Sequence, residues 1–201
     1  MTPRSTQDLL TLLQNDQYSQ VIFDFDETLC HLKIEWKYLD VDYANLIEDL
    51  AEQEKNSQLS EHECIEYLIK KYGGEVRDRI NALFRNCETN HLLGVVDNDA
   101  LIAFLKSGKA AQTFHIISNN TKATLETQLK RLGMLEIFDQ VIGRDSVQLP
   151  KPNPEGILKI IDSTQEDPKR FLMVGDSPRS DILAANRAGI ASFLINMYLG
   201  T

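Results

Sequence analysis

Two carboxylates one residue apart, Asp24 and Asp26 in Asp24-Phe-Asp26-Glu-Thr28, close a short apolar run. In an extended segment they share a face, because side chains alternate with a period of two. A turn at Asp26 would let them diverge around one substrate. Such a pair suits covalent phosphoryl transfer, in which one carboxylate attacks and another carries the leaving-group proton. By itself the pair also fits an Asp-rich turn at the end of a strand.

Three further stretches carry compatible groups. Ser118-Asn-Asn120-Thr121 offers a hydroxyl and, where a strand enters a helix, backbone N–H groups that suit a phosphate oxygen. Asn120 also reads as an ordinary helix cap. In Pro150-Lys151-Pro152-Asn153-Pro154 the prolines restrict the backbone around Lys151, so its ammonium can be held at one point. Gly175-Asp176-Ser-Pro178-Arg-Ser-Asp181 places one carboxylate at a strand end and another on the first turns of a helix, with Ser177 as cap and Pro178 at the first helical position. The acidic positions offer oxygen only, with no His or Cys among them, so Mg²⁺ is expected rather than Zn²⁺.

The elements that position these groups follow from hydropathy patterning. Val21–Phe25, Phe114–Ile117, Gln140–Gly143, Phe171–Val174 and Ala191–Ile195 are short apolar runs that read as buried strands. Leu125, Leu129 and Leu132 share a helix face, and so do Ile157, Leu158 and Ile161. Strands alternating with helices imply an α/β fold with a Rossmann-like parallel sheet, covered on both faces. In such a sheet ligands bind beyond the carboxyl ends of the strands, where all four motifs fall.

Between the first two strands the pattern is helical. Leu39, Tyr43, Leu46, Ile47 and Leu50 form one stripe; Ile65, Leu68 and Tyr72 form a second, ended by Gly73-Gly74. Val76, Ile80, Leu83, Phe84 and Cys87 form a third. Residues 32–92 are therefore expected to be an all-helical cap on a core of residues 1–31 and 93–201, with a helix near Asp99–Lys106 returning the chain to the sheet. Cys30, His31, Lys33, Glu35, Trp36 and Lys37 follow the first motif closely enough to face a substrate.

Composition narrows the partners. The 201 residues carry a net formal charge of −9, which argues against a nucleic-acid phosphate surface and against anionic membranes. No apolar stretch approaches the roughly 20 residues that span a bilayer. The three cysteines lack metal-ligand spacing and read as reduced thiols, so a cytoplasmic protein is expected. Oligomeric state is not legible.

Taken together and in order, the motifs resemble those of the haloacid dehalogenase superfamily, in its phosphatase branch with a helical cap, similar to phosphoglycolate phosphatase. Asp24-x-Asp26-x-Thr28 matches its first motif, Ser118 its second, Lys151 before Pro152 its third and Gly175-Asp176 with Asp181 its fourth. Relatives often have Gly where this chain has Glu27. The resemblance implies that Asp24 is the nucleophile, Asp26 the general acid and base, and Lys151 the neutralising cation. It implies phosphate contacts from Thr28, Ser118, the Asn119 backbone and Lys151. Mg²⁺ would be held by the Asp24 and Asp176 carboxylates and the Asp26 carbonyl, with Asp181 positioning a metal-bound water or Lys151. The implied reaction is hydrolysis of a small soluble phosphate monoester through an aspartyl-phosphate. Phosphomutase, haloacid dehalogenase and non-catalytic binding readings remain as alternatives. The substrate itself (phosphoglycolate, a sugar phosphate or a nucleotide) is not specified.

Overall fold

Residues 2–15, 17–39, 61–108 and 110–199 are described in the computed structural model of the chain. Of the first helical stripe, Tyr43, Leu46, Ile47 and Leu50 lie outside the described residues, whereas Leu39 is buried.

The centre is a parallel five-stranded sheet. β1 (Gln20–Phe23), β4 (Thr113–Ile117), β5 (Phe138–Ile142), β6 (Phe171–Gly175) and β7 (Ala191–Leu194) are ordered β5-β4-β1-β6-β7. β1 lies between β4 and β6, with Val21 opposite Phe114 on one side and Leu172 on the other. Its four residues are all buried because the sheet is covered twice. Val21 and Phe23 face a cluster with Leu9 and Leu13 of α1 (Thr6–Leu13), Leu101 and Leu105 of α4 (Asp99–Lys106), and Leu125 and Leu129 of α5 (Lys122–Leu132). Ile22 faces the other way, toward Ile157 and Ile160 of α6 (Glu155–Thr164) and Ala184 and Ala185 of α7 (Leu183–Ala188). The alternation follows from the period of two, and each fully buried side chain of this kind is worth about 1.5–3 kcal/mol. On α6 the buried face runs through Ile157 and Ile160; Leu158, expected on it, is exposed.

The insertion is not all-helical. β2 (Cys30–Ile34) and β3 (Leu92–Asp97) pair antiparallel, Cys30 opposite Asp97, as a two-stranded stem outside the main sheet. Their runs, Cys-His-Leu-Lys-Ile and Leu-Leu-Gly-Val-Val-Asp, lack a clean alternation, so pairing between segments far apart in sequence decides their conformation. Above the stem, α2 (Glu61–Tyr72) and α3 (Gly74–Asn90) are separated at Gly73, whose φ of 82° is a conformation open to glycine. Leu39, Ile65, Leu68, Val76, Ile80, Phe84 and Cys87 make a separate small core. Tyr72 points to solvent instead.

Candidate active site

β1 stops at Phe23, and the ladder extends one residue further through the Asp24 N–H donated to Val174 O at 2.8 Å. Asp24 is therefore delivered to the carboxyl edge of the central strand. The chain then turns back: Phe25 O accepts the N–H groups of Leu29 and Cys30 at 2.9 and 3.2 Å. Glu27 sits in that turn with φ 57°, a left-handed conformation costing a non-glycine residue about 1 kcal/mol, which explains why glycine suits the position. Its Oε1 lies 2.7 Å from His31 Nδ1.

The turn separates the two first-motif carboxylates. Asp26 accepts the Leu32 N–H at 2.7 Å and the Glu27 N–H at 3.1 Å. Leu32 belongs to β2, so the stem of the insertion aims the Asp26 side chain. Burial raises its carboxyl to about 6; the Leu32 N–H opposes the rise and the Asp24 charge adds to it.

At the end of β6, Gly175 permits a close approach. A Cβ there would lie 2.3 Å from Asp181 Cγ, so only glycine lets the Asp181 carboxylate reach its place. Asp181 lies in a wide helical turn, Pro178–Ile182, that Ser177 caps by accepting the Ser180 N–H. Its Oδ2 accepts the Ser177 N–H at 3.0 Å and its Oδ1 accepts from Lys151 Nζ at 2.5 Å. The Lys151 ammonium also lies 2.8 Å from Asp24 Oδ1, and the residue is 3% exposed. Burial alone would lower the Lys151 pKa, but the Asp181 and Asp24 carboxylates outweigh it and hold it above the ordinary lysine value.

Asp24, Asp176 and Asp181 bring carboxylate oxygens within 4.8 Å of one another. Burial, then the neighbouring Asp24 and Asp181, push the Asp176 carboxyl up to about 8. Burial and Asp24 raise Asp181 to about 6 against the pull of Lys151. Three carboxyls facing one another in a low-dielectric edge, with one ammonium, form a site short of positive charge. Its oxygen-only donor set fits a hard divalent cation such as Mg²⁺.

Ser118 and Asn119 follow β4, on the neighbouring strand. The Ser118 hydroxyl donates to Asn120 Oδ1 at 3.0 Å, and Asn119 Nδ2 donates to Lys151 O at 2.9 Å, tying the second and third motifs together. The N-terminus of α5 is not free to take an anion. The Thr121 N–H is donated to both Glu88 oxygens at 3.2 and 3.0 Å, and the Lys122 N–H to Asp145 Oδ1 at 2.9 Å. The Thr121 and Thr124 hydroxyls and Asn120 Nδ2 also donate to Glu88. Ser118 and Asn119, expected to hold phosphate, both line the cavity described next, and Asn120 caps nothing itself.

A cavity of about 410 Å³ opens over these groups, lined from the sheet side by Asp24, Asp26, Ser118, Asn119, Lys151 and Asp176. The insertion contributes Trp36, Leu39 and Phe84. Thr28 is not part of it: the side chain is fully buried, and its hydroxyl has no hydrogen-bond partner among the described residues. Of the residues expected to face a substrate after the first motif, Trp36 lines this cavity. Cys30 is in the core with its thiol pushed well up by burial, and Glu35 pairs with the exposed Lys37 at 2.7 Å.

Two residues of this region were not singled out from the sequence. Glu88 is 2% exposed, and the signal for it was a carboxylate on the apolar stripe of α3, one and two turns from Phe84 and Ile80. Arg144 is also 2% exposed; its Nε donates to Asn81 Oδ1 at 3.1 Å, a further N–H to Asn119 O at 3.2 Å, and its guanidinium lies 3.3 Å from the Phe84 ring centroid. Nothing local distinguishes it from a surface arginine.

The chain resembles known proteins over nearly its whole length. The sequence model of the family described as haloacid dehalogenase-like hydrolase matches residues 21–195. A phosphoglycolate phosphatase of Vibrio vulnificus is 32% identical over 121 residues, 59% of this chain and 53% of that protein. The chain therefore spans about half of that relative. Among solved structures, a haloacid dehalogenase-like hydrolase from Bacteroides fragilis superimposes with a TM-score of 0.60 at 20% identity, covering 92% of this chain and 90% of its own. The HAD-hydrolase YfnB of Bacillus subtilis, solved bound to magnesium, gives 0.55 at 18% identity and the same coverages.

Proposed function

The chain belongs to the haloacid dehalogenase-like hydrolase family, and on that premise we propose that it is a Mg²⁺-dependent phosphatase acting on a small phosphate monoester. The observation that carries the proposal is the Lys151 ammonium, 2.8 Å from Asp24 Oδ1 and 2.5 Å from Asp181 Oδ1, beside Asp176. An anionic nucleophile approaching an anionic phosphate needs that charge offset, and phosphoryl transfer depends chiefly on alignment and charge stabilisation.

Asp24 attacks phosphorus, and the ester P–O bond breaks as an Asp24–phosphoryl bond forms. Asp26, whose carboxyl retains its proton to about pH 6, gives that proton to the departing alkoxide. It then takes a proton from the water that attacks the aspartyl-phosphate, which releases phosphate and restores Asp24. Ser118 and the Asn119 backbone hold phosphate oxygens, and Asp181 fixes Lys151. Mg²⁺, held by Asp24 and Asp176 with the Asp26 carbonyl, would supply further neutralisation of the transferring group. The general acid favours phosphate esters over haloacids, because a halide leaves without a proton.

The proposed setting is cytoplasmic, with a soluble metabolite as partner and neither nucleic acid nor membrane. All three cysteines are free, and no helix among the described residues is long and apolar enough to cross a membrane. A panel of phosphate monoesters assayed for inorganic phosphate, with and without Mg²⁺, tests the proposal. Release that needs Mg²⁺, disappears in Asp24→Asn and yields no isomerised ester is expected. Wild-type turnover in Asp24→Asn would refute the covalent route.

A further inference from the structure

The phosphate half of a substrate meets groups from the rim of the sheet; its alcohol half meets the insertion. Among the described residues, the insertion lines the cavity with Trp36, Leu39 and Phe84 alone, all apolar in body. Trp36 and Phe84, both at the cavity, pack with ring centroids 5.8 Å apart at 56°. Phe84 is pinned from another side by the Arg144 guanidinium, which is 2% exposed and does not itself line the cavity.

Charge points the same way. Lys151 is the sole cationic side chain among the described lining residues, and both of its ion pairs are with Asp24 and Asp181. Glu27 adds a carboxylate to the lining, beside Asp26. A carboxylate on the alcohol half would be desolvated against apolar side chains and two acids, with no cation among the described lining residues except Lys151, which Asp24 and Asp181 already hold. A flat ring would find aromatic side chains, and the volume of about 410 Å³ falls within the range of sites that enclose whole organic ligands.

We infer that the preferred substrate is a phosphate monoester whose alcohol half is uncharged and bears a flat aromatic ring seated on Trp36 and Phe84, and that esters of hydroxy acids are disfavoured. This inference rests on the phosphatase reading.

The test compares kcat/KM with Mg²⁺ for benzyl phosphate, thymidine 5′-monophosphate, ethyl phosphate and 2-phosphoglycolate. Benzyl phosphate is expected to exceed ethyl phosphate by about two- to ten-fold, the range an aromatic contact contributes, with 2-phosphoglycolate below both. The thymidine arm tells whether the ring is reached through a sugar or directly. In Trp36→Leu and Phe84→Leu the benzyl-to-ethyl ratio is expected to collapse toward one. Preference for 2-phosphoglycolate, or an unchanged ratio in both variants, overturns the inference. Should the wild type cleave none of the four, the phosphatase reading fails separately. Calorimetric binding to Asp24→Asn then decides: tighter benzyl phosphate upholds the ring preference, and tighter 2-phosphoglycolate refutes it.

Discussion

The carboxylate of Glu88, at the far end of the insertion's long helix, receives the Thr121 backbone N–H at 3.0 Å and so caps a helix of the sheet domain. One hydrogen bond further on, Asn120 donates to Glu88 and accepts from the Ser118 hydroxyl. The insertion is thereby joined to the Ser118 loop, for which phosphate binding is proposed. Glu88→Gln removes acceptor capacity from buried donors and is expected to cost about 1–3 kcal/mol. Calorimetry should show a lowered Tm, and the inhibition constant for inorganic phosphate should rise several-fold. Arg85→Ala, which breaks the exposed pair with Asp145 at 3.0 Å, is expected to cost under about 1 kcal/mol and leave phosphate inhibition unchanged. Equal effects of the two substitutions would remove Glu88 from any positioning role.

Lys151→Met keeps the length of the stem but leaves Asp24 and Asp181 facing each other without the ammonium. Breaking a buried pair in this way is expected to cost about 3–5 kcal/mol in the metal-free protein. Turnover should fall by about 100-fold or more, as for loss of a transition-state donor. Part of the lost Tm should return on titration with Mg²⁺. A Lys151→Met protein as stable as wild type without metal would contradict the charge balance described for this site.

The carboxyls of Asp176, at about 8, and of Asp181, at about 6, stand above their ordinary value of 3.8. Each binds its proton more tightly when folded, so its contribution to stability is complete below an unfolded-state value near 3.8 and is lost as pH rises through its folded value. The Tm of the metal-free protein is therefore expected to decline between pH 4 and pH 8. Mg²⁺ competes with those protons, and its stabilising effect should grow over the same window. In Asp176→Asn the decline above pH 6 should flatten and the Mg²⁺ response should vanish. Thermal scans at several pH values, with and without the metal, read both.

Asp26 is held at about 6 by burial, so its protonated fraction falls as the medium passes that pH. For an alkyl ester such as benzyl phosphate, kcat/KM is expected to decline above pH 6, because the alkoxide must be protonated as it leaves. For 4-nitrophenyl phosphate the decline should be weak, since its leaving group departs without a proton. Asp26→Asn should lower kcat/KM, which reads enzyme phosphorylation and not the shared hydrolysis of the aspartyl-phosphate, by about 10²–10⁴ for the first ester and much less for the second. Parallel losses on the two esters would deny Asp26 the acid role.

The sheet was legible because fully buried parallel strands are short apolar runs, and Val21–Phe25 and Phe171–Val174 fall on β1 and β6 to within two residues. The α4 boundaries at Asp99 and Lys106 match the expectation for the same reason, a strong apolar period. The stem strands β2 and β3 were not legible. Their partners lie about sixty residues apart in the chain, and pairing at that distance leaves no local period to read. Leu158 and Tyr72 were misplaced because spacing alone gives a face about 100° wide, and packing chooses its edge.

Sequence alone determined which side chains could do the chemistry, since Asp24, Asp26, Ser118, Lys151, Asp176 and Asp181 each follow a strand that hydropathy can locate. Tertiary structure decided what each one touches. Gly175 lets Asp181 close on Lys151, Leu32 turns Asp26 away from Asp24, and Thr28 is sealed in the interior. It also decided that Glu88 and Arg144, unmarked by any motif, join the insertion to the loop of Ser118–Thr121. Strand positions are written in local hydrophobicity. The meeting of distant charged groups depends on burial and hydrogen-bond geometry that exist once the chain has folded.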